Sequence, residues 1–234
     1  MVSTLEGGYK AYRRWVVEQL AALPRGFSFH VVHGPTGSGK SRLLAALREA
    51  GAQVLDLEAL AGHRGSVLGG LPGRPQPSQK MFESMVLKEL LSFQRGRPVF
   101  VEAESKKIGE LQVPEALMQR MRASPCLALE ASLETRVALL LEEYRHFLED
   151  AAALEAQLDC LVALHGRERI EGWKALARAG LWRELVGKLL TEHYDPAYRR
   201  SSSRNFPGLA EARKIAIPDV TEAAFEQAAQ RAAR

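Results

Sequence analysis

Short β-rich apolar runs mark the first half of the chain, and helical spacing takes over in the second. Residues 27–32 (FSFHVV) are apolar and β-prone up to Gly34, and 41–51 (SRLLAALREAG) carry a helical period closed by Gly51. A second short strand is expected at 52–58 (AQVLDLE). A Gly- and Pro-rich loop from Gly62 to Pro77 follows, and then a helix from Ser78 to about Phe93. Residues 97–105 (RPVFVEAES) and 124–132 (SPCLALEAS) read as the third and fourth strands. From Leu133 to His193 the strand pattern stops, and Trp173 and Trp182 fall at core positions of successive helices. Residues 195–208 (DPAYRRSSSRNFPG) read as a basic, serine-rich loop, 214–220 (KIAIPDV) as a last strand, and the alanine-rich C-terminus as a helix. Strands alternating with helices at this spacing require crossover connections and a parallel sheet.

Gly34-Pro35-Thr36-Gly37-Ser38-Gly39-Lys40-Ser41 matches GxxxxGK[ST] between an expected strand and an expected helix. Such a loop turns consecutive backbone N–H groups toward an anion, and the helix N-terminus adds partial positive charge. Lys40 would neutralise the outer phosphate and Ser41 would hold Mg²⁺. The fold class is therefore α/β: a P-loop NTPase-like parallel sheet flanked by helices, with a helical subdomain at about 133–193 inserted before the last strand. The P-loop domain is expected over 23–234, after an amphipathic helix or linker within 1–22.

A metal-organising acid belongs at the end of a neighbouring strand, where VFVEAES offers Glu102 and Glu104. Glu102 is placed first as catalytic acid with Lys40, and as metal ligand with Ser41 and Asp56. Glu58 competes for the same role. Arg136, following the helix N-cap Ser132, is a candidate phosphate clamp, and a solvated helix arginine is the competing reading. His63, Arg64 and Ser66 open a loop too glycine-rich to be only a connector, at the end of the sheet where ligands bind. Arg199, Arg200 and Arg204 form the densest basic run; beside Tyr194 and Tyr198 they suit phosphate or nucleic-acid backbone.

At 46% apolar and 26% charged, the composition excludes a disordered chain, and no apolar run is long enough to span a bilayer. A cytoplasmic, monomeric protein without membrane contact is expected. The two cysteines, Cys126 and Cys160, stand apart and are expected to be buried. The net charge of +4 permits polyanion partners without requiring them.

GPTGSGKSRLL, QVLDLEALAGHRGSVLGGLPG, QPSQKMFES and PVFVEAESKKIG, in that order, resemble the P-loop part of bacterial tRNA 2-selenouridine synthase. The resemblance runs on through LETRVALLLEEY to HYDPAYRRS, and HRGS and VEAESKKIG are its selective parts. It implies a fusion to an N-terminal rhodanese domain, whose exit helix LEGGYKAYRR would represent and whose catalytic cysteine is absent. It further implies exchange of sulfur for selenium in wobble 2-thiouridine of tRNA. Geranyl transfer from geranyl diphosphate comes first, and displacement by selenophosphate follows. The partners implied are the tRNA anticodon region, geranyl diphosphate and the rhodanese domain in cis. Nucleotide at the P-loop stays open, as do two other readings: an ATP-dependent small-molecule or nucleotide kinase, and a non-catalytic tRNA-binding module. The apolar helices between Ala138 and Leu190 are either core or the wall of a groove for the ten-carbon tail.

Overall fold

The computed structural model describes residues 6–66, 69–70, 73 and 75–234. The side chains of His146, Glu149, Ala151 and residues 201–204 lie outside that description. After α1 (Gly8–Ala22), the chain runs through β1 (Phe29–His33), α2 (Lys40–Glu49), β2 (Gln53–Leu55), α3 (Leu57–Ala61) and α4 (Gln79–Ser92). Then come β3 (Val99–Glu102), the hairpin β4 (Lys107–Ile108) and β5 (Leu111–Gln112), α5 (Glu115–Arg122) and β6 (Cys126–Ala131). The helical region comprises α6 (Leu133–Glu143), α7 (Arg145–Glu149), α8 (Ala151–Asp159), α9 (Val162–His165), α10 (Arg167–Arg178) and α11 (Trp182–Lys188). A π-helical turn (Leu189–Tyr194) leads into α12 (Asp195–Asn205), and β7 (Arg213–Ile217) and α13 (Glu222–Ala232) complete the fold.

Five strands form one parallel sheet in the order β2-β3-β1-β6-β7. Alternation along each strand sends side chains to two cores. Phe29, Val31, Val99 and Val101 pack under α1, α4 and α5, whereas Val32, Phe100, Ile215 and Ile217 pack against α2 and α13. The strand before the P-loop is central, so the loop opens at the carboxyl ends of the strands, between β3 and β6. Beyond the sheet, Trp173, Leu158, Ile170 and Leu185 form the core of the helical subdomain.

Several expectations give way here. The second strand stops at Leu55 because the Asp56 carboxylate caps α3, accepting the Ala59 N–H at 2.8 Å. The expected basic loop is helical, as α12. Asp195 and Pro196 suit a first helical turn, and the serines behind them mask a continuous helix. Helix α1 is not a bare linker: Val16 and Leu20 are buried in the same core as β1 and β3. Cys160 is exposed at the end of α8, while Cys126 is buried in β6 as expected. Trp173 is core, and Trp182 packs half-buried against the same cluster. Among the described residues no helix is long and apolar enough to cross a membrane.

Candidate active site

The P-loop folds as its glycines dictate. Gly39 sits at φ 83°, and a Cβ there would fall 2.6 Å from the Phe225 ring, so only glycine passes between the loop and α13. Helix α2 begins at Lys40 without a side-chain cap, leaving its first N–H groups for an anion. Lys40 Nζ donates to the Gly34 carbonyl at 3.2 Å. Ser38 Oγ is buried with no hydrogen-bond partner among the described residues.

The loop lines a pocket of about 1290 Å³ including its open mouth. Thr36 to Ser41, Glu58, Arg64, Ser66, Glu104, Tyr144, His193, Tyr194 and Tyr198 contribute to its wall. Ser41 Oγ donates to Glu58 Oε2 at 3.3 Å. Behind them Glu102 is fully buried, with Oε1 accepting the Glu58 N–H at 2.7 Å and Oε2 unpartnered among the described residues. Burial, and then its carboxylate neighbours Asp56, Glu58 and Glu104, hold Glu102 well above the ordinary carboxylate range. Burial and the adjacent Glu58 push Glu104 up to about 8, against the pull of Lys40. Glu58 is also raised, chiefly by burial. At neutral pH this cluster therefore retains a proton that separate carboxylates would have released.

The structure thus places Glu58, rather than Asp56 or Glu102, beside the Ser41 hydroxyl. Asp56 is committed to capping α3 and stands 4.0 Å from Arg48, while Glu102 anchors the first turn of α3 through the Glu58 amide. Among the described residues no three His, Cys, Asp or Glu side chains are arranged to hold a metal unaided. Mg²⁺ usually needs only one or two protein donors beside waters and phosphate oxygens, and Ser41 with Glu58 is the pair that could hold it.

Arg136 is buried and does not line the pocket. Its Nε donates to the Thr36 carbonyl at 2.9 Å, and its two terminal nitrogens grip Asp195 at 2.6 and 3.0 Å. The expected phosphate clamp is a brace that ties the P-loop to α6 and to the start of α12. Arg64 reaches the pocket, donating to the Glu143 carbonyl at 2.6 Å over the Tyr144 ring, 4.5 Å from its centroid. Ser66 lines the pocket beside it. His63 instead shapes the loop, its Nδ1 accepting the Gly65 N–H at 3.1 Å. Residues 67, 68, 71, 72 and 74 of the same loop lie outside the described residues. Arg199 and Arg200 are exposed on α12, and the Arg204 side chain lies outside the description.

A second cleft adjoins the first. It measures about 560 Å³ with its mouth and is lined by Leu141, Phe147, Leu148, Trp182, Leu185 and Val186, among other residues. Thr36, Leu140, Tyr144 and Tyr194 belong to both walls. Tyr144 and Leu140 were not singled out from sequence. Their signal is the helical spacing from Arg136, which puts Leu140 one turn on in α6 and Tyr144 at the cap that ends it. His193 was also missed, since a lone histidine in a helical pattern carries no mark.

Residues 27–168 match the tRNA 2-selenouridine synthase AAA domain family. A curated tRNA 2-selenouridine synthase of Marinobacter nauticus is 34% identical over 222 residues, 83% of this chain and 59% of its own length. The chain belongs to the tRNA 2-selenouridine synthase family. The Alcanivorax borkumensis member is 34% identical over 85% of this chain and 61% of its own length. The chain therefore spans about three fifths of the length of the curated synthases it matches. Among solved structures, a gluconokinase from Sinorhizobium meliloti 1021 is similar at 16% identity, covering 89% of this chain and 91% of its own, with a TM-score of 0.34.

Proposed function

We propose that this chain carries the alkyl-transfer part of the conversion of wobble 2-thiouridine to 2-selenouridine in tRNA. It would hold geranyl diphosphate, with the diphosphate in the P-loop and the ten-carbon tail in the adjoining cleft. The observation that carries the reading is an apolar cleft that shares Thr36, Leu140, Tyr144 and Tyr194 with the wall of the phosphate-loop pocket. A ligand with a hydrocarbon chain on a diphosphate matches both compartments; a nucleotide leaves the apolar one without a use. The thiocarbonyl sulfur attacks the allylic carbon, and the departing diphosphate is stabilised by Lys40, Ser41 and the α2 N-terminus. Mg²⁺, held by Ser41 and Glu58, would supply Lewis-acid charge neutralisation at the diphosphate. Selenation from selenophosphate would follow, with a rhodanese domain in cis. The anticodon region would lie along α12, where Arg199 and Arg200 face solvent above Ala197 and Tyr198 of the pocket wall.

Calorimetric titration with geranyl diphosphate, inorganic diphosphate and ATP, each with Mg²⁺, tests this reading. Burying part of the tail should make geranyl diphosphate about 30- to 150-fold tighter than diphosphate, from about 2 to 3 kcal/mol of apolar transfer. Lys40→Ala should weaken both about 100-fold through the lost charge-assisted contact. Tight ATP binding with phosphoryl transfer and no preference for the prenyl chain would replace the reading with a kinase. Binding of thiolated tRNA without alkylation would leave a tRNA-binding module.

A further inference from the structure

A pair of histidines stands at the pocket, His193 in its wall and His165 behind it, and neither belongs to the phosphate loop. His193 is buried in the π-helical turn and lines the pocket wall, with its Nδ1 2.9 Å from Nε2 of His165 at the end of α9. His165 is half-buried, its ring edge-on to Trp173 with centroids 5.1 Å apart. No further hydrogen bond of the His193 side chain occurs among the described residues. A π turn inserts a residue into the helical track and re-aims the side chains around it, a device common at functional sites. Here the consecutive residues His193 and Tyr194 both reach the pocket wall, joined one turn later by Ala197 and Tyr198.

Alkylation of a thiouracil creates a need for such a pair. As the sulfur–carbon bond forms, the carbon–oxygen bond breaks and its electron pair leaves with the diphosphate. The ring then carries a positive charge, and its N3 proton must depart before a neutral S-alkyl product exists. Resting on the alkyl-transfer reading above, we infer that His193 Nε2 accepts this N3 proton and that His165 passes the charge on to solvent. His193 Nδ1–H donates to His165 Nε2, which leaves the lone pair of His193 Nε2 for the pocket. After Nε2 takes the N3 proton, Nδ1–H moves to His165, and His165 Nδ1 releases a proton to water. His193 is thus the catalytic base and His165 a positioning and relay residue.

The surroundings favour a neutral imidazole ready to accept. Burial, then His165, and then Arg200 from α12 hold His193 below its ordinary range. Burial and Arg169 of α10 lower His165 as well, opposed by Glu192 of the π turn.

Single-turnover alkylation of a thiouridine-containing anticodon stem by the whole chain, followed across pH, tests the assignment. Geranyl diphosphate affinity by calorimetry and thermal melting run beside it. In His193→Gln the rate is expected to fall about 100-fold, the usual contribution of a positioned base, and the acid limb of the profile to vanish. Affinity should stay within about twofold, since Lys40 and the loop amides carry binding. His165→Asn should slow transfer and move the acid limb to higher pH, because a neighbour that lowers His193 is gone. Added imidazole should partly restore His193→Ala, a rescue that a merely structural role does not allow. An unchanged rate and profile in His193→Gln, or loss of affinity in proportion to rate with no rescue, overturns the relay. A wild-type chain that binds geranyl diphosphate without transferring it overturns the alkyl-transfer reading and the relay together, and the wild type alone reveals that case.

Discussion

Glu104 is one of three neighbouring carboxyls that the fold holds above their ordinary range. Its carboxyl is buried beside Glu58 and ionises at about 8 in the native state, whereas in an unfolded chain it ionises near 4.5. Between those values the native state holds a proton that the unfolded state has released, so stability falls as pH rises through this window. The full interval, at about 1.4 kcal/mol per pH unit, corresponds to about 5 kcal/mol as a ceiling. Glu58 and Glu102 titrate with it and share the strain, so about 2 kcal/mol is expected for the single site. Urea unfolding at about pH 5 and about pH 8.5 measures this, with Glu104→Gln as the comparison because the amide keeps shape and hydrogen bonding without a proton to lose. The wild type should lose about 2 kcal/mol more than Glu104→Gln between the two conditions, and the variant should be the more stable at the higher pH. Equal losses in the two proteins would mean that Glu104 is ionised in the native state and that Lys40 outweighs burial and Glu58.

Two further outcomes rest on geometry alone. Arg136→Ala leaves the half-buried Asp195 without its bidentate partner and frees the Thr36 carbonyl; a loss of about 2 to 3 kcal/mol is expected in thermal or denaturant unfolding, with Asp195→Asn milder. Gly39→Ala must push a methyl into the Phe225 ring from a left-handed backbone, so diphosphate binding in calorimetry should fall by at least about tenfold while the fold loses about 1 to 2 kcal/mol.

What the residues announced in advance were features with local causes. The run ending at His33, the glycine loop and the helix after it lie within one stretch of chain, and each has its own pattern. The same holds for α4 and α6, whose serine caps Ser78 and Ser132 accept the Met81 and Thr135 N–H groups. Features made by distant partners were not announced. The β4–β5 hairpin has two-residue strands and is stitched down by Gln76, which reaches the Ala61 and Ile108 carbonyls, and by Gln79, which pairs with Gln112. Glu58 becomes the acid beside Ser41 only because Asp56 ends β2 and turns α3 toward the loop. Arg136 was legible as important and misjudged in role, since nothing in LETRVALL tells that Asp195 arrives from the far side of the helical region.

Arg136 also makes a mechanical joint. One guanidinium holds a carbonyl of the anion loop with one edge and the first residue of the basic helix with the other. On the proposed reading, a shift of Thr36 on anion binding would pass through this guanidinium to the helix that presents Arg199 and Arg200. Thermodynamic reciprocity fixes the return path: by whatever factor an occupied loop strengthens the grip of α12 on a polyanion, the polyanion strengthens the grip of the loop by the same factor. On the proposed reading, the brace would link two kinds of phosphate, one on a small molecule and one on a polymer, in a single binding equilibrium.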